Sequence, residues 1–289
     1  MSALVDLPSP EFPLGGGTLH IGTGEPWREA LAALESESRL WQYPTMVRGD
    51  LLLTVLRTRP ALAVCLERVF SFNARSQMAT IDAILWRGAV SVAAIEGRAG
   101  LRLRALPRTL GDDESERVLA ALSQEVDNPT PLRSMEGKCS PSTTRYRSSG
   151  LHAAALLASA GRCASCERNF GELLEGAGLA ALEVHHLHQF ADVPTTVETG
   201  VEDVVVVCGG CHNMLHDSTR PSVLELTYAW RPRCPKCAAK RADRVSYGEP
   251  LNPPGPGEAA GGCLLQPGDH ATWSCASCEH QWRTSALEA

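Results

Sequence analysis

Cys163-Ala-Ser-Cys166, Leu182-Glu-Val-His185-His186-Leu187 and Asp203-Val-Val-Val-Val-Cys208-Gly-Gly-Cys211-His212-Asn-Met-Leu-His216 carry the pattern from which the rest of the chain is read. Two Cys-x-x-Cys pairs supply four soft thiolates, the tetrahedral set that structural zinc prefers. Cys163, Cys166, Cys208 and Cys211 are therefore expected to hold the local fold together. His212 and His216 are four residues apart, so on a helix beginning near Gly210 their imidazoles share a face and can share a cation. His185 can complete a three-histidine set. Successive side chains of a strand alternate faces, so His186 points elsewhere and can act as a base rather than as a fourth ligand. His188 reads as a surface residue.

Moving outward, eight of the eleven cysteines fall into four Cys-x-x-Cys pairs, leaving Cys65, Cys139 and Cys263 outside them. The N-terminus, Met-Ser-Ala-Leu-Val-Asp-Leu-Pro, lacks the basic and continuous apolar stretches of a secretory signal, which leads to an expectation of a reducing, cytoplasmic setting. Metal binding then outranks disulfides. Hydrophobic residues make up 44% of the 289 and charged residues 21%, a globular composition whose apolar runs are too short to span a bilayer. The length suits two domains and a small appendage. A net charge of −6 argues against indiscriminate binding to phosphate backbones. Residues 231–244 nevertheless hold six basic side chains, Arg231, Arg233, Lys236, Lys240, Arg241 and Arg244, the best phosphate-facing strip in the chain. A solvated basic face is the plainer reading of the same residues.

The ordered cysteine and histidine set resembles the HNH, or ββα-metal, endonucleases, most closely the subgroup with Cys-x-x-Cys staples and Glu-Val-His-His found in modification-dependent restriction enzymes. The resemblance covers about residues 145–220. It implies that His186 is the general base and that His185, His212 and His216 hold one catalytic cation. Asp203 stands where the family has Asn, and could accept a hydrogen bond from His186 and fix its orientation. The chemistry implied is phosphodiester hydrolysis with magnesium or manganese; nickel or zinc also suits a histidine-rich site. The substrate implied is double-stranded DNA, modified for instance as 5-methylcytosine, cut by a monomer or a homodimer. Two alternatives stay open: a nicking enzyme indifferent to modification, and a zinc-containing DNA-binding protein with no activity.

The flanks complete an α+β expectation. Residues 1–127 read as a mixed, β-barrel-like domain, with a helix over 27–40, strands over 50–56, 61–70, 89–95 and 101–106, and a helix over 112–125 opened by Asp112, Asp113 and Glu114. Arg48-Gly-Asp50 followed by paired apolar runs resembles PUA-superfamily barrels, among them EVE and SRA-like readers of modified bases. That likeness would let Trp41, Tyr43, Trp86, Phe70 or Phe72 stack on a flipped base, although for any one of them a place in the core is the favoured reading. Residues 128–150, rich in Pro, Ser, Thr and Arg, read as a linker to the HNH segment at 151–230. Residues 231–289 look like a zinc ribbon, in which Cys234, Cys237, Cys275 and Cys278 share a second zinc and His270 and His280 are not needed.

Overall fold

The computed structural model describes residues 17–34, 38–40, 45–103, 106–138, 145–172, 178–188, 196–248, 253–262 and 270–283. The elements up to residue 127 are β1 (Leu19–Gly24), α1 (Trp27–Ala33), β2 (Ser38–Leu40), β3 (Leu51–Leu56), β4 (Leu62–Asn73), β5 (Met78–Ser91), α2 (Val92–Ala99), β6 (Arg108–Thr109) and α3 (Asp112–Asp127). Next come β7 (Arg133–Lys138), β8 (Arg145–Tyr146), α4 (Ser149–Ala158), β9 (Leu182–His186), β10 (Val197–Gly200) and β11 (Val204–Cys208). The remainder is α5 (Gly209–Leu215), α6 (Val223–Trp230), β12 (Ala242–Ser246), β13 (Glu258–Ala260), β14 (Trp273–Cys275) and β15 (Gln281–Trp282). Two units result, one of residues 1–162 with 169–206, the other of residues 163–168 with 207–289. The class is α+β. The expected boundaries at 127 and 150 do not separate these units.

The first unit is built on a six-stranded mixed sheet in the order β2-β5-β4-β3-β1-β6. Leu-Leu-Leu-Thr-Val-Leu of β3 is buried at every position, as a central strand covered on both faces must be. Alternation divides its side chains. Leu51, Leu53 and Val55 join a core with Val92 and Ile95 of α2 and Val118, Leu119 and Leu122 of α3, while Leu52 faces a smaller cluster of Met46, Val69 and Ala79. The helix α3 buries positions 115, 118, 119, 121, 122 and 125, one stripe at helical spacing. Its buried Glu125 is paired with Arg98 and accepts from the backbone N and the hydroxyl of Thr130 at 2.9 Å.

Among the described residues this sheet does not close, which corrects the barrel expectation. Strand β1 inserts parallel beside β3, and β6 adds only the pairs His20 with Thr109 and Ile21 with Arg108, so β2 and β6 remain at opposite edges. The Gly-Asp dipeptide has a local task. Gly49 adopts a φ of +92°, and the Asp50 carboxylate accepts from the backbone N of Thr18 (3.1 Å) and of Val47 (2.8 Å) and meets His20 Nε2 at 2.8 Å. Residues 92–99, read partly as strand, form a helix. It ends at Gly100, whose φ of +61° gives the left-handed cap that glycine tolerates.

Residues 128–150 do more than link. Strand β7 lies between β10 and β8 in a three-stranded antiparallel sheet, and Ser148 caps α4 by accepting from Leu151 N at 3.2 Å. Two residues on, Gly150 passes so close to Pro60 that a Cβ would sit 2.5 Å from the Pro60 carbonyl oxygen. Elsewhere β9 and β11 form a two-stranded sheet, with Leu187 N donating to Asp203 O at 2.9 Å.

In the second unit β13, β12, β14 and β15 form a four-stranded sheet, with β12 parallel to β13 and antiparallel to β14. Among the described residues, no helix is long and apolar enough to cross a membrane.

Candidate metal and histidine sites

Three of the Cys-x-x-Cys pairs fold alike. In each, the residue after the second cysteine returns its N–H to the first cysteine's carbonyl: Glu167 to Cys163 at 3.0 Å, Ala238 to Cys234 at 2.8 Å and Glu279 to Cys275 at 2.8 Å. That residue is left-handed every time, with φ of 59°, 59° and 57°. Ordinary side chains avoid this region at a cost of about 1–2 kcal/mol, so the turn must be held by what it surrounds. The fourth pair, Cys208-Gly-Gly-Cys211, sits instead at the junction of β11 and α5, where a strand becomes a helix.

The cysteines gather in two quartets, Cys163, Cys166, Cys208 and Cys211, and Cys234, Cys237, Cys275 and Cys278. A tetrahedral zinc with Zn–S of about 2.3 Å requires sulfurs about 3.8 Å apart. Cys166 and Cys208 Sγ are 3.9 Å apart, Cys234 and Cys278 3.7 Å, and Cys237 and Cys275 3.6 Å. Each quartet could hold zinc. Backbone amides already prepare some of the sulfurs for negative charge. Burial raises the Cys163 thiol, but N–H donors from Cys166 and Cys208 outweigh it and leave the thiol below its ordinary value. In Cys275 burial is likewise outweighed by backbone N–H donors from Ser277 and Cys278, which bring it to about 7.

On α5, His216 N donates to His212 O at 3.2 Å, the helical bond that sets the two side chains one turn apart on the same face. Their ring centroids are 4.7 Å apart, edge to face. Both histidines of β9 are buried, His185 at 7% exposure and His186 at 9%.

The carboxylate that meets His186 is not that of Asp203. Asp203 Oδ2 accepts from Gly200 N at 2.8 Å and closes the short turn Val201–Asp203. Glu136, in the middle strand β7 and with no exposed surface, places Oε2 2.8 Å from His186 Nε2. Its other oxygen, Oε1, accepts from Ser148 N. Burial raises the Glu136 carboxyl, but the hydrogen bonds from His186 and Ser148 outweigh it and hold the carboxyl below its ordinary value. His152 of α4 lies beside the pair, its ring centroid 5.8 Å from that of His186, and burial pushes it down to about 4. The donor atoms of Glu136, His152 and His186 all lie within 4.8 Å of one another. Sequence reasoning missed Glu136 and His152 because neither stands at a ligand-like spacing: Glu136 is fifty residues from His186.

No family model matches the chain, and neither does any curated protein or solved structure.

The residues read as nucleic-acid contacts fare unequally. Trp41 and Tyr43 lie outside the described residues. Trp86 packs against the larger core cluster of the first unit, and Phe72 against the smaller. Phe70 is 45% exposed, with the Arg48 guanidinium 4.8 Å from its ring centre. Arg231 must be removed from the basic strip. Its side chain is 9% exposed, and its donors go to Glu167, to Ala242 O at 2.9 Å and to Gly257 O at 2.7 Å, so it ties the turn after Cys166 to β12. Arg244 also pairs with Glu167. Arg233, Lys236, Lys240 and Arg241 are exposed.

Proposed function

We propose that the protein is an HNH-type endonuclease that hydrolyses DNA phosphodiesters with one divalent cation. The observation that carries the reading is the helix α5. It starts from a cysteine pair belonging to a zinc-competent quartet and presents His212 and His216 on one face. In this reading the catalytic cation is held by His185, His212 and His216, as the sequence resemblance implies, and the two cysteine quartets carry structural zinc, the second in a zinc ribbon. When bound, magnesium or manganese supplies Lewis-acid stabilisation of the charge on the phosphorane and the departing 3′ oxygen. His186 takes the proton of the attacking water. Arg233, Lys236, Lys240 and Arg241 lie on a strip suited to the phosphate backbone. Reading of modified DNA is assigned to the first unit on the strength of its sequence resemblance.

The test is cleavage of matched plasmids, unmodified, cytosine-methylated and phosphorothioated, with magnesium or manganese, run beside His186→Ala. Cutting confined to a modified plasmid and abolished in the variant supports both halves of the reading. Equal cutting of all three removes the reader and keeps the nuclease. Absence of cutting with every metal, in protein that still shifts DNA on a gel, replaces the enzyme with a DNA-binding zinc protein.

A further inference from the structure

A buried carboxylate needs a reason to stay charged. Glu136 has no exposed surface, and transfer of an ionised carboxylate out of water is costly unless donors converge on it. Both oxygens are engaged, Oε1 by Ser148 N and Oε2 by His186 Nε2 at 2.8 Å. The mounting is stiff. Glu136 is on the central strand of a three-stranded sheet, and its partner Ser148 caps α4 while its hydroxyl donates to Arg59 O at 2.7 Å. An ionised carboxylate accepts only, so the imidazole nitrogen facing it must carry the hydrogen. Nε2 of His186 is thereby the donor.

We infer that Glu136 is the positioning residue of His186, holding the ring by Nε2–H so that Nδ1 is the nitrogen that accepts the proton of water. The inference rests on the reading of His186 as the general base. It gives Glu136 the task that the sequence assigned to Asp203, and it explains why a strand inside an apparent linker buries an acid. His152 borders the pair, kept neutral by burial. A neutral His152 places no positive charge beside the Glu136 carboxylate.

The direct test is long-range 15N correlation NMR on the zinc-loaded wild-type protein. It should report His186 with its proton on Nε2 and a bare Nδ1; a proton on Nδ1 overturns the inference. The kinetic test uses Glu136→Gln and Glu136→Asp. Glutamine keeps the shape but no longer compels one tautomer, so kcat for plasmid cleavage should fall about 100-fold. KM, melting temperature and the equivalents of bound metal should not change, and aspartate should restore part of the loss. A fall in KM-type binding or in stability alone would mark Glu136 as merely structural. Loss of one metal equivalent in Glu136→Gln would instead make Glu136, His152 and His186 a cation site and refute the positioning role. An active His186→Ala would sink the base assignment itself, whereas an inert His186→Ala beside a fully active Glu136→Gln would sink only the present inference.

Discussion

The two units solve the same stability problem by different means. In the first, Leu19, Ile21, Leu53, Leu66, Ile95 and Leu122 are fully buried against a long sheet. Apolar burial at about 25 cal/mol per Å2 can offset the ordering of such a chain without further help. In the second, the buried apolar side chains among the described residues are Val207, Leu215, Leu226, Ala242 and Val245, beside Cys163, Cys211, Cys234 and Cys275. So thin a core leaves three left-handed turns at Glu167, Ala238 and Glu279 to be stabilised by something else. Short segments of this kind fold on metal. If the two quartets hold zinc, as they could, cysteine in the second unit occupies the place that leucine has in the first.

The largest effect is expected from Cys208→Ala. Zinc in such quartets is worth on the order of 10 kcal/mol, so hydrogen exchange should show amides of α5 losing protection while those of β3 and β4 keep theirs. Equal loss in both units would mean that the first also depends on metal. The complementary change is Leu53→Ala, at a position with no exposed surface. It should destabilise the first unit by about 2–5 kcal/mol in denaturant unfolding while zinc content is unchanged. Loss of zinc in that variant would contradict the division.

A smaller effect sharpens the picture of the first unit. Burial raises the Glu125 carboxyl, but Arg98 and Thr130 outweigh it and hold the group below its ordinary 4.5. A depressed folded value means that this stabilisation is fully present above about pH 4.5 and fades as the pH falls through the lowered value. Glu125→Gln should therefore be less stable than wild type at neutral pH and converge with it in acid. A constant gap at every pH would refute the ion pair as its source.

What could be read from the sequence was local. The cysteine pairs and the spacing of His212 and His216 are four-residue patterns, and a thiolate or imidazole at such a spacing has few other uses. Strand β3 was legible for a similar reason, since an unbroken apolar run suits a doubly covered strand. The open sheet was not, because insertion of β1 parallel to β3 depends on a crossover that no local pattern reports. Val-Ala-Ala-Ile at 92–95 is apolar enough for strand or helix, and only the cap at Gly100 decides it. Glu136 was hidden twice over, in a polar stretch and fifty residues from its partner. Arg231 looked like a phosphate ligand because composition cannot show that its donors are already used.

The proposed division of labour, cysteines folding the second unit and histidines cutting, is tested by cleavage of supercoiled plasmid with manganese by His212→Ala, with bound zinc measured on the same sample. The expected result is two zinc ions per chain, one for each quartet, and no cleavage above a protein-free control. Cleavage at the wild-type rate, or loss of zinc along with activity, would contradict it.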